Sequence, residues 1–511
     1  MIGSPRVHRS LTRPRLGVDV GGALNLVGAL LKYLSLAFLV PAGVAFGYGE
    51  SAWPFVLAAL ATVLAGWSLE RVTRGKDTVG PREGFLVVAL TWLLAAFFVS
   101  LPYLIANEAQ LGNPLDAYFE SMSGLTTTGA SVLTDVESLN NSLLMWRQLS
   151  QWIGGMGIIV LALAILPRLR VGGRQLLESE LPGPDVEKLT ASIRTVARRL
   201  WLLYLALTVL MVLVLAVFGW TGLDERMNLF EAVAHAFATL PTGGFSTQAR
   251  SIEGFSAATQ WAVAAFMALA GVNFALMYRA VVRQGRPWRD EEFRLYAFLL
   301  LGASVMLFAK LVGRGLYEGE EAVRHSVFQV VSTMTTTGFA SADFNEWPIF
   351  AGMVLVALMF VGGSAGSTSG AIKVVRLLIL TRILRRELDQ TLHQEAVVPI
   401  RFNHSPLDER TVRSVIAFVL LYLVVFAAGT LGLVISEAIN TARTDLTWPE
   451  AISAAAATLG NVGPGLGFLG PMGSYASFSD SSTAILVVLM WMGRLELIPV
   501  VILLTRNYWR A

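Results

Sequence analysis

Residues Ser123–Ser131 read SGLTTTGAS, three consecutive threonines and a glycine set in a chain that is otherwise mostly apolar. Segments of the same cast recur downstream. YFESMSGLTTTGAS (118–131), FEAVAHAFATLPTGGFS (230–246), RHSVFQVVSTMTTTGFAS (324–341) and PEAISAAAATLGNVGPG (449–465) each follow one apolar run and precede another. Each opens with roughly ten residues of helical pattern and closes in a polar, glycine-containing piece, so the unit is span, half-helix, loop, span, four times over. Gly129, Gly243, Gly338 and Gly463 are taken as the matching points of the four.

The surroundings decide what such a unit does. With 54% hydrophobic and 15% charged residues among 511, and a mean hydropathy of +0.60, the chain is too apolar for a water-soluble domain. Ten candidate spans are expected, near 24–46, 52–69, 84–106, 142–167, 196–219, 258–282, 292–313, 348–380 (interrupted), 411–437 and 481–505. Continuous rather than alternating apolar runs argue against a β-barrel. The first twenty residues carry Arg6, Arg9, Arg13 and Arg15 without an apolar core or a cleavage site, so no removable leader is expected there. The absence of cysteine excludes disulfides, thiolate metal sites and thiol catalysis. No basic stripe with interleaved aromatics points to nucleic acid.

Loop charges alternate. Cations crowd 71–82, 168–199, 279–289 and 382–401, whereas the threonine-glycine segments lie among loops bearing Glu108, Asp116, Glu231, Glu320, Asp343 and Asp480. By the positive-inside rule the cationic loops and both termini are expected to be cytoplasmic, with the four segments on the outer side.

A half-helix too short to cross must return to the side it entered. Its backbone is tolerated only inside protein or against water. Four such pieces around one axis make a pore, in which loop carbonyls replace the hydration shell of a cation and half-helix C-termini point their negative ends inward. Close helix packing by small residues explains one such segment but not four on the same side.

These segments, with QWIGGMGIIVLALAILP (151–167) and WMGRLELIPVVILLT (491–505), resemble the TrkH/TrkG/KtrB superfamily of potassium-translocating subunits over residues 20–510, and the extra N-terminal pair of spans resembles TrkH or TrkG. The resemblance implies an all-α integral membrane fold of four linked span, pore-helix, span repeats around one pore, plus two additional helices. The boundaries are a tail at 1–23, the two helices at 24–70, and repeats at 84–168, 196–283, 292–386 (second helix broken) and 410–508. It implies K⁺ as the substrate and only metal, with no covalent cofactor and no enzymatic activity. It further implies a filter of Thr126, Thr127, Thr128 and Gly129; Leu240, Pro241, Thr242 and Gly243; Thr335, Thr336, Thr337 and Gly338; and Gly460, Asn461, Val462 and Gly463. A homodimer in the bacterial inner membrane, surrounded by lipid and seated on a TrkA-type nucleotide-binding ring, is expected. The broad charged loops at 167–199 and 376–410 offer that ring a surface. Channel-like passage and H⁺- or Na⁺-coupled symport both stay open.

The eighth span is interrupted by GGSAGSTSGAIK (362–373), whose glycines cannot sustain a helix against lipid. A phosphate loop would need a Gly-Lys-Ser/Thr ending after a strand. The resemblance makes Gly362, Gly363, Gly366, Ser367, Thr368, Ser369 and Gly370 an obstructing loop beneath the filter, with Arg494 at the same constriction. An arginine inside a span faces a pore or a carboxylate, and Glu496, two residues on, lies on a different helix face. Lys373 is expected to snorkel to the cytoplasmic boundary. His8, His235, His325, His393 and His404 show no ligand spacing, and packing or hydrogen bonding is expected of them. A secondary transporter built on inverted repeats would show two halves of opposite topology. An intramembrane hydrolase using Ser367 would need a His, Asp or Lys partner that the neighbouring spans do not offer.

Overall fold

The computed structural model of the chain describes residues 17–74, 80–169, 186–395, 397–403, 405–440 and 446–510. Most of the expected N-terminal tail, the cation-rich stretch around Arg170 and Arg174, and His8 and His404 lie outside these residues.

Among the described residues the regular structure is helical, apart from a short hairpin pairing Arg401 with Pro406 and Phe402 with Ser405 and an isolated Val361–Ile372 bridge. Helices α1 (Val20–Ser35) and α2 (Leu39–Tyr48), joined by a short 3-10 turn, form the first span, and α3 (Trp53–Val72) returns. Their contact is set by glycine. A Cβ on Gly28 would stand 2.7 Å from the Gly66 carbonyl, and one on Gly66 would stand 2.6 Å from the Gly28 carbonyl. Such backbone-to-backbone approach is how helices associate where lipid gives no hydrophobic drive.

The remaining chain repeats one plan. Long helices α4 (Pro81–Ala106), α7 (Val186–Trp220), α11 (Glu291–Gly313) and α15 (Glu409–Ile439) each lead into a short one: α5 (Pro114–Leu125), α8 (Leu229–Thr239), α12 (Gly319–Met334) and α16 (Trp448–Leu459). With 11 to 16 residues at 1.5 Å each they reach about 17–24 Å, less than the ~30 Å of hydrocarbon. All four carry carboxylates in their first turn, Asp116, Glu231, Glu320 with Glu321, and Glu450, and no cation in their last. Caps fix three of the starts: Asn113 accepts from Leu115 N–H, Asn228 from Glu231 N–H, and Thr447 forms a capping box with Glu450.

The returning helices differ from one another. In the first unit α6 (Asn141–Leu169) is continuous, whereas the second unit bends by 103° between α9 (Ala257–Ala270) and α10 (Phe274–Val281). The third breaks between α13 (Ile349–Met359) and α14 (Val374–Leu392), and the fourth bends by 112° between α17 (Asp480–Arg494) and α18 (Ile498–Val501). Sequence reading expects only the break at 362–373, so the spans 258–282 and 481–505 are corrected to bent pairs. Both bends have a local backbone signature. Asn273 caps α10 by accepting from Leu276 N–H, and Glu496 and Leu497 adopt left-handed φ of 56° and 60°.

Six helices are each long and apolar enough to cross a membrane, and the two bent pairs raise the number to eight among the described residues. The protein is a multi-pass membrane protein.

Gly66→Val should separate α1 from α3. The thermal midpoint in detergent is expected to fall by several degrees, corresponding to overpacking of about 1–3 kcal/mol. Gly47→Ala in α2, where an added Cβ meets nothing within 4 Å, is expected to leave it level or raise it.

Candidate functional site

The four short helices end in four loops with one backbone course. Counting back five residues, the amides of Thr128, Gly243, Thr337 and Val462 bond the carbonyls of Ser123, Ala238, Ser332 and Ala457 at 2.7–2.9 Å. One residue earlier, Thr127, Thr242, Thr336 and Asn461 all have φ of 53–58°, and one residue later Gly129, Gly244, Gly338 and Gly463 have φ of 79–101°. The loops are therefore Thr126–Gly129, Pro241–Gly244, Thr335–Gly338 and Gly460–Gly463.

This corrects the expected register of the second loop. Gly244, not Gly243, is the counterpart of Gly129, and Leu240 closes the pore helix beside Leu125, Met334 and Leu459. The helix ends visibly one residue earlier there because Pro241 has no N–H to bond back, as Thr126, Thr335 and Gly460 do to Met122, Val331 and Ala456. The missed signal is the tail Gly-Phe-Ser at 244–246, which matches Gly-Ala-Ser at 129–131.

The glycines show how the loops meet. A Cβ on Gly129 would lie 2.3 Å from the Gly243 carbonyl, on Gly244 1.9 Å from that of Thr337, on Gly338 2.0 Å from that of Val462, and on Gly463 2.6 Å from that of Thr128. Each loop thus abuts the next, the fourth returns to the first, and the ring is closed. Left-handed φ at three β-branched threonines costs about 1–3 kcal/mol each and persists only where the surroundings impose it.

Beneath the ring lies the segment 362–373. Its two ends are joined by a Val361–Ile372 bridge and by Gly362 N–H to Ile372 O at 2.8 Å. The Glu292 carboxylate accepts from the amides of Ala365 (2.6 Å) and Val375 (3.1 Å). The tip touches the ring. Thr368 Oγ1 donates to Leu240 O at 3.1 Å and meets Thr242 Oγ1 at 3.2 Å, and Gly370 N–H donates to Thr336 Oγ1 at 2.7 Å. Arg494 is 2% exposed and donates to the carbonyls of Thr368 (2.8 Å) and Gly154 (3.3 Å). The structure thus brings the loop residues, Arg494 and the ring together. Glu496 pairs instead with Arg376, whose guanidinium also lies 3.7 Å over the Phe418 ring.

Lys373 does not snorkel. It is buried and donates to the Ser369 carbonyl, because the broken helix leaves carbonyls free to take its ammonium. Buried side-chain oxygens of Thr127, Ser367, Ser369 and Asn461 (its Oδ1) have no hydrogen-bond partner in the protein. Two of the histidines make hydrogen bonds within the protein: His235 to Glu231 O and Ser246 Oγ, and His325 to Ser341 Oγ. Among the described residues no cluster of three or more His, Asp or Glu side chains is placed to hold a metal ion.

Outside the ring, Arg147 and Glu120 form a buried ion pair at 2.7 Å, 1% and 0% exposed. Glu120 also accepts from Val132 N–H and Ser131 Oγ, and Arg147 donates to Ser246 O, so the pair ties the first loop's exit to the second's.

A closed ring of four loops, packed against a broken helix within a multi-pass helical chain, defines a class of four-unit membrane protein. The family described as TrkH, cation transport protein, matches residues 55–510, and the chain belongs to it. The Trk system potassium uptake protein TrkH of Vibrio parahaemolyticus serotype O3:K6 is 39% identical over 499 residues, covering 96% of this chain and 99% of that one. TrkH of Escherichia coli K12 is 37% identical over 95% of this chain and 98% of its own. The crystal structure of the potassium transporter TrkH from V. parahaemolyticus superposes with a TM-score of 0.85 at 36% identity, covering 96% of this chain and all of that one.

Arg147→Met leaves Glu120 charged and buried, a loss of about 3–5 kcal/mol. Its thermal midpoint should drop sharply, and the double variant Arg147→Met with Glu120→Gln is expected to melt above the single one.

Proposed function

We propose that the chain takes up K⁺ across the bacterial cytoplasmic membrane through the ring of loops, gated by the segment 362–370 together with Arg494. The observation that carries this is the closed glycine-to-carbonyl ring, which requires four backbones to converge on one axis. Carbonyls held at a common level replace the hydration shell of a cation, and the four half-helix C-termini add negative potential at the same point. Named relatives that translocate potassium support the choice of ion.

Both termini face the cytoplasm in this reading, because the cation-rich loops lie on their side. A homodimer seated on a TrkA-type nucleotide-binding ring completes it, with the charged loops at 376–410 as part of the docking surface. Recovery of monomer alone, with no cytosolic protein, from native membranes would count against that assembly.

In the closed state Arg494 places a fixed positive charge beside the loop tip, in a passage too narrow for water to screen it well. Two measurements in proteoliposomes follow, with ⁸⁶Rb⁺ flux standing for K⁺ and Na⁺ flux measured beside it where a ratio is read. Gly129→Ser, Gly338→Ser and Gly463→Ser are expected to lower the K⁺/Na⁺ ratio more than they lower expression, and unchanged ratios in all three would sink the filter. Arg494→Ala, and separately a shortened 365–370, are expected to raise flux without partner by roughly ten-fold, the worth of about 1.4 kcal/mol in a barrier. If both reach the membrane and conduct no faster than the parent, the constriction lies elsewhere.

A further inference from the structure

The four loops share a backbone but not a brace. Loops one and three hold themselves: Thr126 Oγ1 meets Thr128 Oγ1 at 2.7 Å, and Thr335 Oγ1 meets Thr337 Oγ1 at 2.8 Å. The second loop has Pro241 and Gly243 at those places and the fourth has Gly460 and Val462, so neither can form that hydroxyl pair.

In the second loop the brace comes from another unit. Gln151 of α6 is fully buried, donates from Nε2 to the Gly243 carbonyl at 2.6 Å, and accepts at Oε1 from Phe245 N–H at 3.2 Å. A Cβ on Gly243 would lie 2.5 Å from Gln151 Cδ, so the glycine at this third position is what admits the amide. The Gly243 carbonyl is also the one that Gly129 abuts, which links the brace directly to the ring.

The fourth loop takes another route. Asn461 Nδ2 donates to Thr128 Oγ1 and to Met490 O, both at 3.0 Å. Met490 is the counterpart of Gln151, because Gly154 and Gly493, three residues after each, both pack on the carbonyl that ends a pore helix, that of Leu125 and of Leu459. There the partner helix offers only a backbone carbonyl.

We infer that Gln151 is a specificity-determining positioning residue, whose amide fixes the second loop's third-position carbonyl in the ion-selecting ring. It acts through Gly243 rather than on the ion, and the inference rests on the ring being the filter. A ring with one loose loop relaxes around the smaller Na⁺, so discrimination falls while passage continues.

The test uses the full-length chain in proteoliposomes, with ⁸⁶Rb⁺ uptake measured against Na⁺ uptake. The variants are Gln151→Met, the residue at the equivalent place in the fourth unit, and Gln151→Glu, which keeps an acceptor for Phe245 N–H and loses the donor to Gly243. Both are expected to lower the Rb⁺/Na⁺ ratio by about ten-fold, on the scale of one buried hydrogen bond, with maximal Rb⁺ uptake within a few-fold of the parent. The ratio is independent of how much protein folds, so a reduced yield does not obscure it. Parental ratios in both variants, or equal losses of Rb⁺ and Na⁺ flux, overturn the role of Gln151. Gly129→Ser, Gly338→Ser and Gly463→Ser are run alongside: if all three also leave the ratio unchanged, the filter reading fails, and if any of them changes the ratio while the Gln151 variants do not, only the inference about Gln151 does.

Discussion

The contact on which this structure depends is a glycine Cα pressed against the next loop's carbonyl, closest at Gly244, where a Cβ would fall 1.9 Å from the Thr337 oxygen. Nothing else permits four chain segments to converge on one axis. A side chain at any of the four glycines would push two loops apart, and the left-handed φ there would strain it as well. Everything outside the ring serves that convergence. The short helices deliver the loops, the long helices enclose them, and buried polar groups secure the exits: Glu120 to Val132 N–H, Gln329 to Ser341 N–H, and Ser453 to Leu466 N–H.

Glu120, His235 and Gln329 stand at one position of their short helices and Ser453 one residue earlier, and the four differ in chemistry. An ion pair anchors the first unit, a histidine at His235 bonds Ser246 in the second, an amide serves the third and a hydroxyl the fourth. Backbone symmetry thus coexists with unlike side chains, because each inner surface packs against a different returning helix. A buried charge pair is an expensive way to hold a loop unless it does more than one job. Arg147 does: besides pairing with Glu120 it donates to Ser246 O and lies 4.1 Å over the Phe245 ring, so it locks two loops with one side chain.

Much of this was legible in the sequence, for identifiable reasons. Thr-Thr-Thr-Gly in two places and glycine in the others mark loops because polar residues and left-handed φ are costly anywhere else in an apolar chain. The glycines of 362–370 announce a break for the same reason. The register of the second loop was not legible from its two adjacent glycines, since Pro241 removes the hydrogen bond that would mark the helix end. Nor were the bends near Gly271 and Leu495. Glu496 and Leu497 are not residues that favour left-handed φ, and only the surrounding packing imposes it. Lys373 misleads by the same logic: snorkelling is the default for a lysine beside an intact helix, and here the helix is broken and its carbonyls are at hand.

The segment beneath the ring is anchored unevenly, and that bears on how it moves. Its base is held by backbone bonds on both sides and by one carboxylate that grips two amides, Ala365 and Val375. Its tip is held by separate hydrogen bonds: Thr368 Oγ1 to Leu240 O and Thr242 Oγ1, Gly370 N–H to Thr336 Oγ1, and Arg494 to the Thr368 carbonyl. Each is worth about 0.5–3 kcal/mol net, and they break independently. Displacing the tip therefore leaves the base intact, and the cost is confined to a few bonds. Arg494 donates to a carbonyl on each side, Thr368 on the loop and Gly154 on α6, so a tip that withdraws still leaves the guanidinium a partner on the wall. A buried positive charge that keeps a hydrogen bond when one partner withdraws is spared the full cost of an unpaired buried donor, so the tip is less firmly tied to Arg494 than Arg494 is to the wall.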